Sequence, residues 1–322
     1  MNCLCCGMPI PTDVPEERET MWHTACVKKF FGTQRLPDVD ITEEVLEQLA
    51  RESTNKGYTV PGVQRKLSLH LTGGKDPRLT LVNYPTGYML KPQTPEYRAL
   101  PEAEFLVMQM ARATKIKTVP FALLKAKASE EKYAYITKRI DRRKSGKAVS
   151  MLAMEDFCQL ENRLTADKYK GSYERCVKVI DTYSAFPGLD KSELFLRVVF
   201  SFAIGNSDMH LKNFSLIETA TASGVYRLSD AYDMLPVNVI MPSDTEELAL
   251  TLHGKKRNIT RNDFLTFAEN AGISREAAEK ILKRVSSLSD TYTALCRSSY
   301  LPDDMKASLA ELIAARTAKL NR

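Results

Sequence analysis

Residues 205–215 read Gly205-Asn-Ser-Asp208-Met-His210-Leu-Lys212-Asn213-Phe-Ser. This segment follows an apolar stretch, residues 194–204, and precedes a short run at 214–217 that predicts a strand. Asp208 and Asn213 stand five positions apart between the two elements. Asp and Asn are common in turns at helix ends, so a polar turn is one interpretation of this pair. A functional loop is the other.

The spacing of the pair is typical of phosphoryl-transfer enzymes. Protein kinases place a base Asp and a magnesium-binding Asn at this separation, because the Asp must meet the acceptor hydroxyl while the Asn turns toward the metal-bound phosphates. Asp233 follows twenty residues after Asn213 and suits a second carboxylate ligand of Mg²⁺. Asp208, Asn213 and Asp233 together therefore predict a kinase-type site for ATP and Mg²⁺.

Two charged residues in the first half of the chain fit the same chemistry. Lys91 ends a predicted strand at 88–91, and Glu104 lies on a predicted helix at 102–113. In kinases such a lysine contacts the α- and β-phosphates, and such a glutamate pairs with it. Both residue types are usually exposed, so a solvated Lys and a solvated Glu are the alternative interpretation.

A glycine-containing segment precedes these two residues. It reads Thr59-Val-Pro-Gly62-Val-Gln64-Arg-Lys66. Its backbone N–H groups and hydroxyl suit phosphate oxygens, although an ordinary hairpin loop fits the same residues. Loop, Lys, Glu, Asp, Asn and Asp occur along the chain in the order that a kinase requires.

These segments identify a family likeness. The chain resembles the HipA family of bacterial Ser/Thr kinases, which are toxins of toxin–antitoxin operons, from about residue 58 to about residue 316. The likeness is carried by Thr59 to Lys66, Leu100-Pro-Glu-Ala-Glu104, Lys138-Arg-Ile-Asp-Arg142, Met154-Glu-Asp-Phe-Cys158, Asp208 to Asn213, and Ala231-Tyr-Asp233. The resemblance implies a two-lobed, protein-kinase-like (HipA-like) α+β fold.

The resemblance also implies roles for individual residues. Asp208 would be the catalytic base, Asn213 and Asp233 would be magnesium ligands, and His210 and Lys212 would order the loop and neutralise charge. Lys91 would be the phosphate-binding lysine, with Glu104 as its partner. The phosphates would also be contacted by Thr59, Gly62, Gln64 and Lys66, and adenine would be hydrogen-bonded by the segment from Lys138 to Ile140. In this family a hydroxyl of the glycine-containing loop is autophosphorylated, and Thr59 matches that position. Pro61 stands where the family often has a second hydroxyl, so autoregulation would rest on one site or be absent.

Partners follow from the family as well. The resemblance implies a translation component such as an aminoacyl-tRNA synthetase as protein substrate. It also implies a HipB-like helix-turn-helix antitoxin, a small third operon protein, and DNA contact only through the antitoxin. Longer family members carry an additional N-terminal subdomain. We expect it to be missing here, as in the short HipT-like toxins.

The N-terminus carries a separate signal. Cys3 and Cys6 form a C-x-x-C pair. His23 lies seventeen residues after Cys6 and forms an H-x-x-C pair with Cys26. Three thiolates and one imidazole complete a tetrahedral zinc site, and a closed site of this kind is structural. Cys5 could substitute for Cys3 or Cys6. A set of reduced thiols beside a surface His is the alternative interpretation.

The predicted architecture has three parts. They are a zinc knuckle at 1–35, an N-terminal kinase lobe at 36–137 and a C-terminal helical lobe at 138–322. A basic loop at 141–147 is predicted to lead into helices near 153–162, 169–184 and 191–204, the last behind the cap Asp190, and Thr260, Ser274 and Pro302 each mark a further helix start.

Composition limits the remaining classes. The 322 residues are 43% hydrophobic and 27% charged with a net charge of +6, which is ordinary for a globular protein. No apolar run approaches the ~20 residues of a membrane span, and no signal peptide is visible, so we expect a cytoplasmic protein. Two alternatives remain: a pseudokinase scaffold, and a zinc-dependent nucleic-acid-binding protein that uses the basic stretch at 139–147.

Overall fold

The computed structural model describes residues 1–39, 66–80, 87–125, 133–145 and 148–321. They form two compact units. The first comprises residues 1–105 and 119–140, and the second comprises residues 106–118 and 141–322. The sequence from Asp40 also predicts an amphipathic helix, with Val45, Leu46 and Leu49 at helical spacing, and this segment lies outside the described residues. So does most of the glycine-containing loop. The division into three domains that the sequence predicts stays a prediction.

A six-stranded sheet forms the framework of the first unit. Its strands are β1 (Asp38–Val39), β2 (Leu67–Leu71), β3 (Arg78–Thr80), β4 (Tyr88–Pro92), β5 (Phe121–Lys125) and β6 (Tyr133–Lys138). The spatial order is β1-β3-β2-β4-β6-β5, and every pairing is antiparallel except that of β1 with β3. The apolar residues of β5 are buried, as their continuous run predicts.

Two short helices lie within residues 1–35, a Cys-rich segment whose sequence predicts irregular chain. They are α1 (Pro15–Thr20) and α2 (Thr24–Phe31). Pro15 takes the first helical position, and two acidic residues follow it in the first turn, which is a favourable start for a helix. Phe30 and Phe31 of α2 pack against Trp22 and against Tyr88 of β4, with ring centroids 5.4–6.0 Å apart.

The N-terminal segment is also joined to the sheet through its backbone. The N–H of Leu123, on edge strand β5, donates to the carbonyl of Leu4 at 2.8 Å, and the N–H of Leu4 donates to Met21 at the same distance. Cys3 and Leu4 are fully buried. The cysteine segment is therefore an integral part of the first unit.

Helix α3 (Leu100–Ala113) contributes residues to both units. The second unit also holds a β-hairpin, a small sheet and eight helices in the described chain. The hairpin is β7 (Arg142–Ser145) with β8 (Ala148–Met151), and the sheet has the order β11 (Tyr226–Leu228), β10 (Ser215–Glu218), β9 (Met154–Asp156). The helices are α4 (Phe157–Leu160), α5 (Tyr173–Tyr183), α6 (Pro187–Ile204), α7 (Val237–Ile240), α8 (Arg261–Asn270), α9 (Arg275–Ser286), α10 (Ser289–Ser298) and α11 (Asp303–Asn321).

Three of the predicted elements of this unit are wrong. The basic loop at 141–147 forms much of a hairpin, because its residues pair in register with those of β8. The helix predicted at 153–162 starts as strand β9, which pairs with β10, and Asp156 then caps the single turn of α4. Helix α6 starts at Pro187, so Asp190 lies inside its first turn and caps nothing.

Other predictions of this unit are confirmed. Thr260 and Ser274 cap α8 and α9 through their hydroxyls, and α11 follows Pro302 directly. Helix α6 carries the apolar stretch and is almost wholly buried from Leu194 onward. Across the described ranges, no helix combines the length and the apolar character that a membrane span demands.

Candidate active site and candidate metal centre

Lys91 and Glu104 form a buried ion pair in the first unit. Lys91 lies on β4 and is 3% exposed, and Glu104 lies on α3 and is fully buried. The Nζ atom of Lys91 donates to both carboxylate oxygens of Glu104, at 2.7 and 2.8 Å. These distances and this burial exclude the interpretation of the two residues as solvated surface charges.

An aromatic ring lies beside the Lys91 amine. The Nζ atom also lies 5.4 Å from the ring centroid of Tyr135 on the neighbouring strand β6, a favourable position for a cation. A buried charge without a partner is strongly unfavourable, and the bidentate carboxylate offsets that penalty. The pair therefore holds a fixed positive group inside the sheet unit.

In the second unit, the Asp208 loop begins where α6 ends. Gly205 has φ +70°, the left-handed conformation typical of the residue after a helix. A Cβ at Gly205 would lie 3.1 Å from the side chain of Leu312 and 3.2 Å from that of Asn238, so a larger residue would also be crowded. The N–H of Asn206 then donates back to the carbonyl of Ser201 at 2.8 Å, which fixes the direction of the loop.

The Asp208 carboxylate has polar and aromatic neighbours. Its Oδ1 atom accepts a hydrogen bond from the Tyr169 hydroxyl and lies 3.9 Å from Nε2 of His210. The side chain of Asp208 is 40% exposed, so an external hydroxyl can reach it. Burial and the adjacent Asp208 charge raise the pKa of Tyr169, so this phenol stays protonated and acts as a donor.

Asn213 closes the same loop. Its Nδ2 atom donates to the backbone carbonyl of Asp208 at 2.8 Å, and the residue is 4% exposed. The neighbouring Lys212 pairs at 2.6 Å with Asp156, the residue that caps α4. Asn213 is therefore held to the Asp208 loop, and Lys212 is held to the residue that caps α4.

The Asp233 segment is joined to the Asn213 segment through Tyr232. The hydroxyl of Tyr232 donates to the carbonyl of Lys212 at 3.1 Å, so the hydroxyl of Ser215, 2.6 Å away, donates to Tyr232. Asp233 itself is half-buried and has φ +60°, a strained conformation for a residue with a side chain. Such strain is often found at functional sites.

The predicted nucleotide-contacting residues are only partly described. Thr59, Gly62 and Gln64 lie outside the described residues, and Lys66 is exposed just before β2. Lys138 ends β6, and its N–H donates to the carbonyl of Pro120 at 3.0 Å. Ile140 is half-buried at the end of the first unit.

The predicted zinc ligands come together. One atom each of Cys3, Cys6, His23 and Cys26 lies within 4.8 Å of the others. Nδ1 of His23 is 3.3 Å from Sγ of Cys6 and 3.8 Å from Sγ of Cys26. Cys5 is not in this group.

The remaining contacts prepare these groups for a cation. Nε2–H of His23 donates to the Pro9 carbonyl at 3.1 Å, so Nδ1 presents its lone pair to the thiols. Backbone N–H groups of Cys5 and His23 approach Sγ of Cys3 at 3.5 and 3.4 Å. Burial and the neighbouring cysteines raise the pKa of the Cys26 thiol, a shift that a bound cation reverses. Three thiols and one imidazole fit zinc.

Comparison with known proteins decides the family. The sequence model of the HipA-like C-terminal domain matches residues 58–292. The chain belongs to the HipA-like C-terminal domain family.

Curated relatives of this family carry kinase names. A Haemophilus influenzae protein named "Putative kinase" is 23% identical over 288 residues, which cover 83% of this chain and 82% of that protein. The Sinorhizobium fredii protein "Putative kinase Y4dM" is 31% identical over 234 residues, which cover 68% of this chain and 55% of that protein.

Solved structures show the same fold. HipA of Shewanella oneidensis, in a toxin–antitoxin complex with HipB and operator DNA, has a TM-score of 0.66 and 20% identity and is matched over 80% of this chain and 64% of that chain. The Helicobacter pylori proinflammatory kinase CtkA has a TM-score of 0.51 and 18% identity, with 72% and 86% of the two chains covered. The predicted kinase-like, HipA-like α+β fold is confirmed.

Proposed function

We propose that this protein is an ATP- and Mg²⁺-dependent protein serine/threonine kinase. The observation that carries the proposal is the buried pair of Lys91 and Glu104, 2.7 Å apart. Active protein kinases require a strand lysine held by a helix glutamate, because the lysine then meets the α- and β-phosphates of ATP. The kinase names of the relatives support the same reaction class.

Asp208 is the proposed catalytic base. It accepts the proton of the acceptor hydroxyl as the oxygen of that hydroxyl bonds to the γ-phosphorus, and the bond from the γ-phosphorus to ADP breaks. The 40% exposure of the Asp208 side chain supports this role, because a protein substrate must reach the carboxylate. Its backbone is fixed by Asn213, so the carboxylate is positioned before the acceptor arrives.

Asn213 and Asp233 are the proposed magnesium ligands. When bound, Mg²⁺ neutralises charge on the β- and γ-phosphates. The Tyr232 bridge, which joins the segments of Asn213 and Asp233, supports a shared site. Lys212 pairs with Asp156, which supports a loop-ordering role for it, and His210, 3.9 Å from Asp208, is proposed to order the loop and to balance charge beside that carboxylate.

Around the nucleotide, several further roles stay proposals from the family likeness. They are phosphate contacts by Thr59, Gly62, Gln64 and Lys66, adenine contacts between Lys138 and Ile140, and autophosphorylation at Thr59. For the N-terminal site we propose structural Zn²⁺ held by Cys3, Cys6, His23 and Cys26. The joining of this segment to β5 and to Tyr88 supports a role in stabilising the sheet unit.

The proposed biological role is that of a toxin in a HipA-type toxin–antitoxin system. The Shewanella structure holds HipA with HipB and operator DNA, which supports a HipB-like antitoxin as partner here. An aminoacyl-tRNA synthetase or another translation component is the proposed substrate. Cytoplasmic location and a small third operon protein are proposed from the family as well.

The test is phosphopeptide mass spectrometry after brief expression in a bacterial host. Wild-type protein should produce new phosphoserine or phosphothreonine sites on a translation component, and Asp208→Ala should not. Equal phosphorylation with both proteins would refute the assignment of Asp208. If folded wild-type protein produced no new phosphorylation site, a pseudokinase scaffold would be the remaining interpretation. Strongly salt-dependent binding to nucleic acid would favour the zinc-dependent nucleic-acid-binding protein.

A further inference from the structure

Tyr169 makes two side-chain contacts with the Asp208 loop. Its hydroxyl donates to Oδ1 of Asp208, and its ring meets the ring of His210 edge to face, with centroids 5.0 Å apart. Tyr169 belongs to none of the sequence motifs that carry the family likeness. These contacts engage the base and the loop histidine of the proposed kinase at once.

The backbone beside Tyr169 is tied to the same loop. The N–H of Leu211 donates to the carbonyl of Lys168 at 3.2 Å. The Lys168 amine lies 4.9 Å from the centre of the Tyr169 ring, a favourable cation–π position. The backbone hydrogen bond at Lys168 and the Lys168 amine beside the ring thus fix the position of Tyr169. Its hydroxyl is therefore directed at Asp208.

We propose that Tyr169 is a positioning residue, which holds the Asp208 carboxylate and the His210 ring in the orientation that accepts the proton of the substrate hydroxyl. This inference rests on the proposed kinase activity and deepens it. It predicts that the hydroxyl of Tyr169, and not its ring alone, supports turnover. The outer partners of catalytic side chains often contribute about 10–100-fold to activity or affinity.

The test compares Tyr169→Phe with wild type. Release of ADP from ATP and Mg²⁺ is measured, since it counts transfer to any acceptor, including water. We expect kcat to fall about 10-fold with KM for ATP unchanged. Tyr183→Phe, which removes an exposed hydroxyl from α5, should match wild type. Unchanged kcat in Tyr169→Phe would overturn the proposal. Faster turnover would also overturn it, because Tyr169 would then block the acceptor position.

A second measurement separates this inference from the proposed function. Melting temperatures of wild type, Tyr169→Phe, Asp208→Asn and the double variant form a double-mutant cycle that needs no activity. The proposal predicts that the change in melting temperature of the double variant differs from the sum of the changes in the two single variants. A change equal to that sum would overturn the positioning contact. If wild-type protein releases no ADP, the proposed kinase function fails, and the cycle alone decides whether Tyr169 holds Asp208.

Discussion

The side-chain amide of Asn213 donates a hydrogen bond of 2.8 Å to the backbone carbonyl of Asp208. The proposed metal ligand therefore also fixes the backbone of the proposed base. Since Asn213 is buried, loss of its amide would leave the Asp208 carbonyl without this partner. Structural and chemical roles are thus combined in one side chain, and variants must separate them.

Asp233→Ala should weaken Mg²⁺-dependent ATP binding without loss of the fold. Removal of one carboxylate ligand lowers metal affinity, while Tyr232 still joins the segment to Lys212. Asn213→Ala should weaken the same binding and also lower the free energy of unfolding by about 0.5–1.5 kcal/mol, because the Asp208 carbonyl loses one of its two donors and keeps the N–H of His210. Titration calorimetry and urea unfolding measure the two effects. Asp230→Ala is the control. Asp230 pairs with Arg227, so this variant should bind ATP with the affinity of wild type. Unchanged ATP affinity in Asp233→Ala would count against its ligand role.

Lys91→Met should destabilise the protein by about 3–5 kcal/mol, because Glu104 is left buried without its counter-ion. The double variant Lys91→Met/Glu104→Leu should recover most of this loss, since neither charge remains. Phosphoryl transfer should stay lost in both, because the amine that meets the phosphates is gone. Denaturant unfolding and an ADP-release assay distinguish the outcomes. Recovery of activity together with stability in the double variant would show that Lys91 serves only the fold.

Purified protein should contain about one zinc ion per chain, and removal of that metal should lower its melting temperature. Cys26→Ser should lose the zinc, because serine is a poor replacement for a thiolate. Cys5→Ser should keep it, since Cys5 lies outside the four-residue group and its contact with Cys3 uses the backbone N–H. Elemental analysis checks both variants. Loss of zinc in Cys5→Ser would make Cys5 a ligand.

Glu102 should make stability depend on pH. Burial raises the pKa of its carboxyl from 4.5 to about 7, so the folded state holds a proton that the unfolded state releases first. The free energy of unfolding should therefore fall by about 3 kcal/mol as pH rises from about 4.5 to about 7, and then level off. Glu102→Gln should remove this slope, whereas the exposed Glu96→Gln should not. Urea unfolding between pH 4.5 and 8 measures it, and an equal slope in Glu102→Gln would contradict the assignment.

Features that depend on short spacing in the sequence were predictable. The two zinc-ligand pairs and the caps Thr260 and Ser274 act over a few residues, so their pattern alone indicates the structure. Lys91 and Glu104 were predictable as partners because one follows a strand pattern and the other a helix pattern. Their burial was not visible, since charged residues are exposed in most settings.

Features that depend on distant partners were not predictable. Tyr169 meets Asp208 across 39 positions, and no local pattern signals such a contact. Asp190 was expected to cap α6, but the carboxylate instead accepts from the hydroxyl of Ser184 and from the N–H of Leu228, which lies on a strand. The β7–β8 hairpin was missed because its basic residues resemble a loop until their pairing is known.

The most direct measurement is phosphoryl transfer from γ-labelled ATP with Mg²⁺, in which wild-type protein is compared with Asp208→Asn at matched melting temperature. We predict that wild-type protein places label on a serine or threonine of the protein or its substrate. With Asp208→Asn, transfer should fall by about 100-fold or more. Transfer at an equal rate by both proteins would contradict the role of Asp208 as catalytic base.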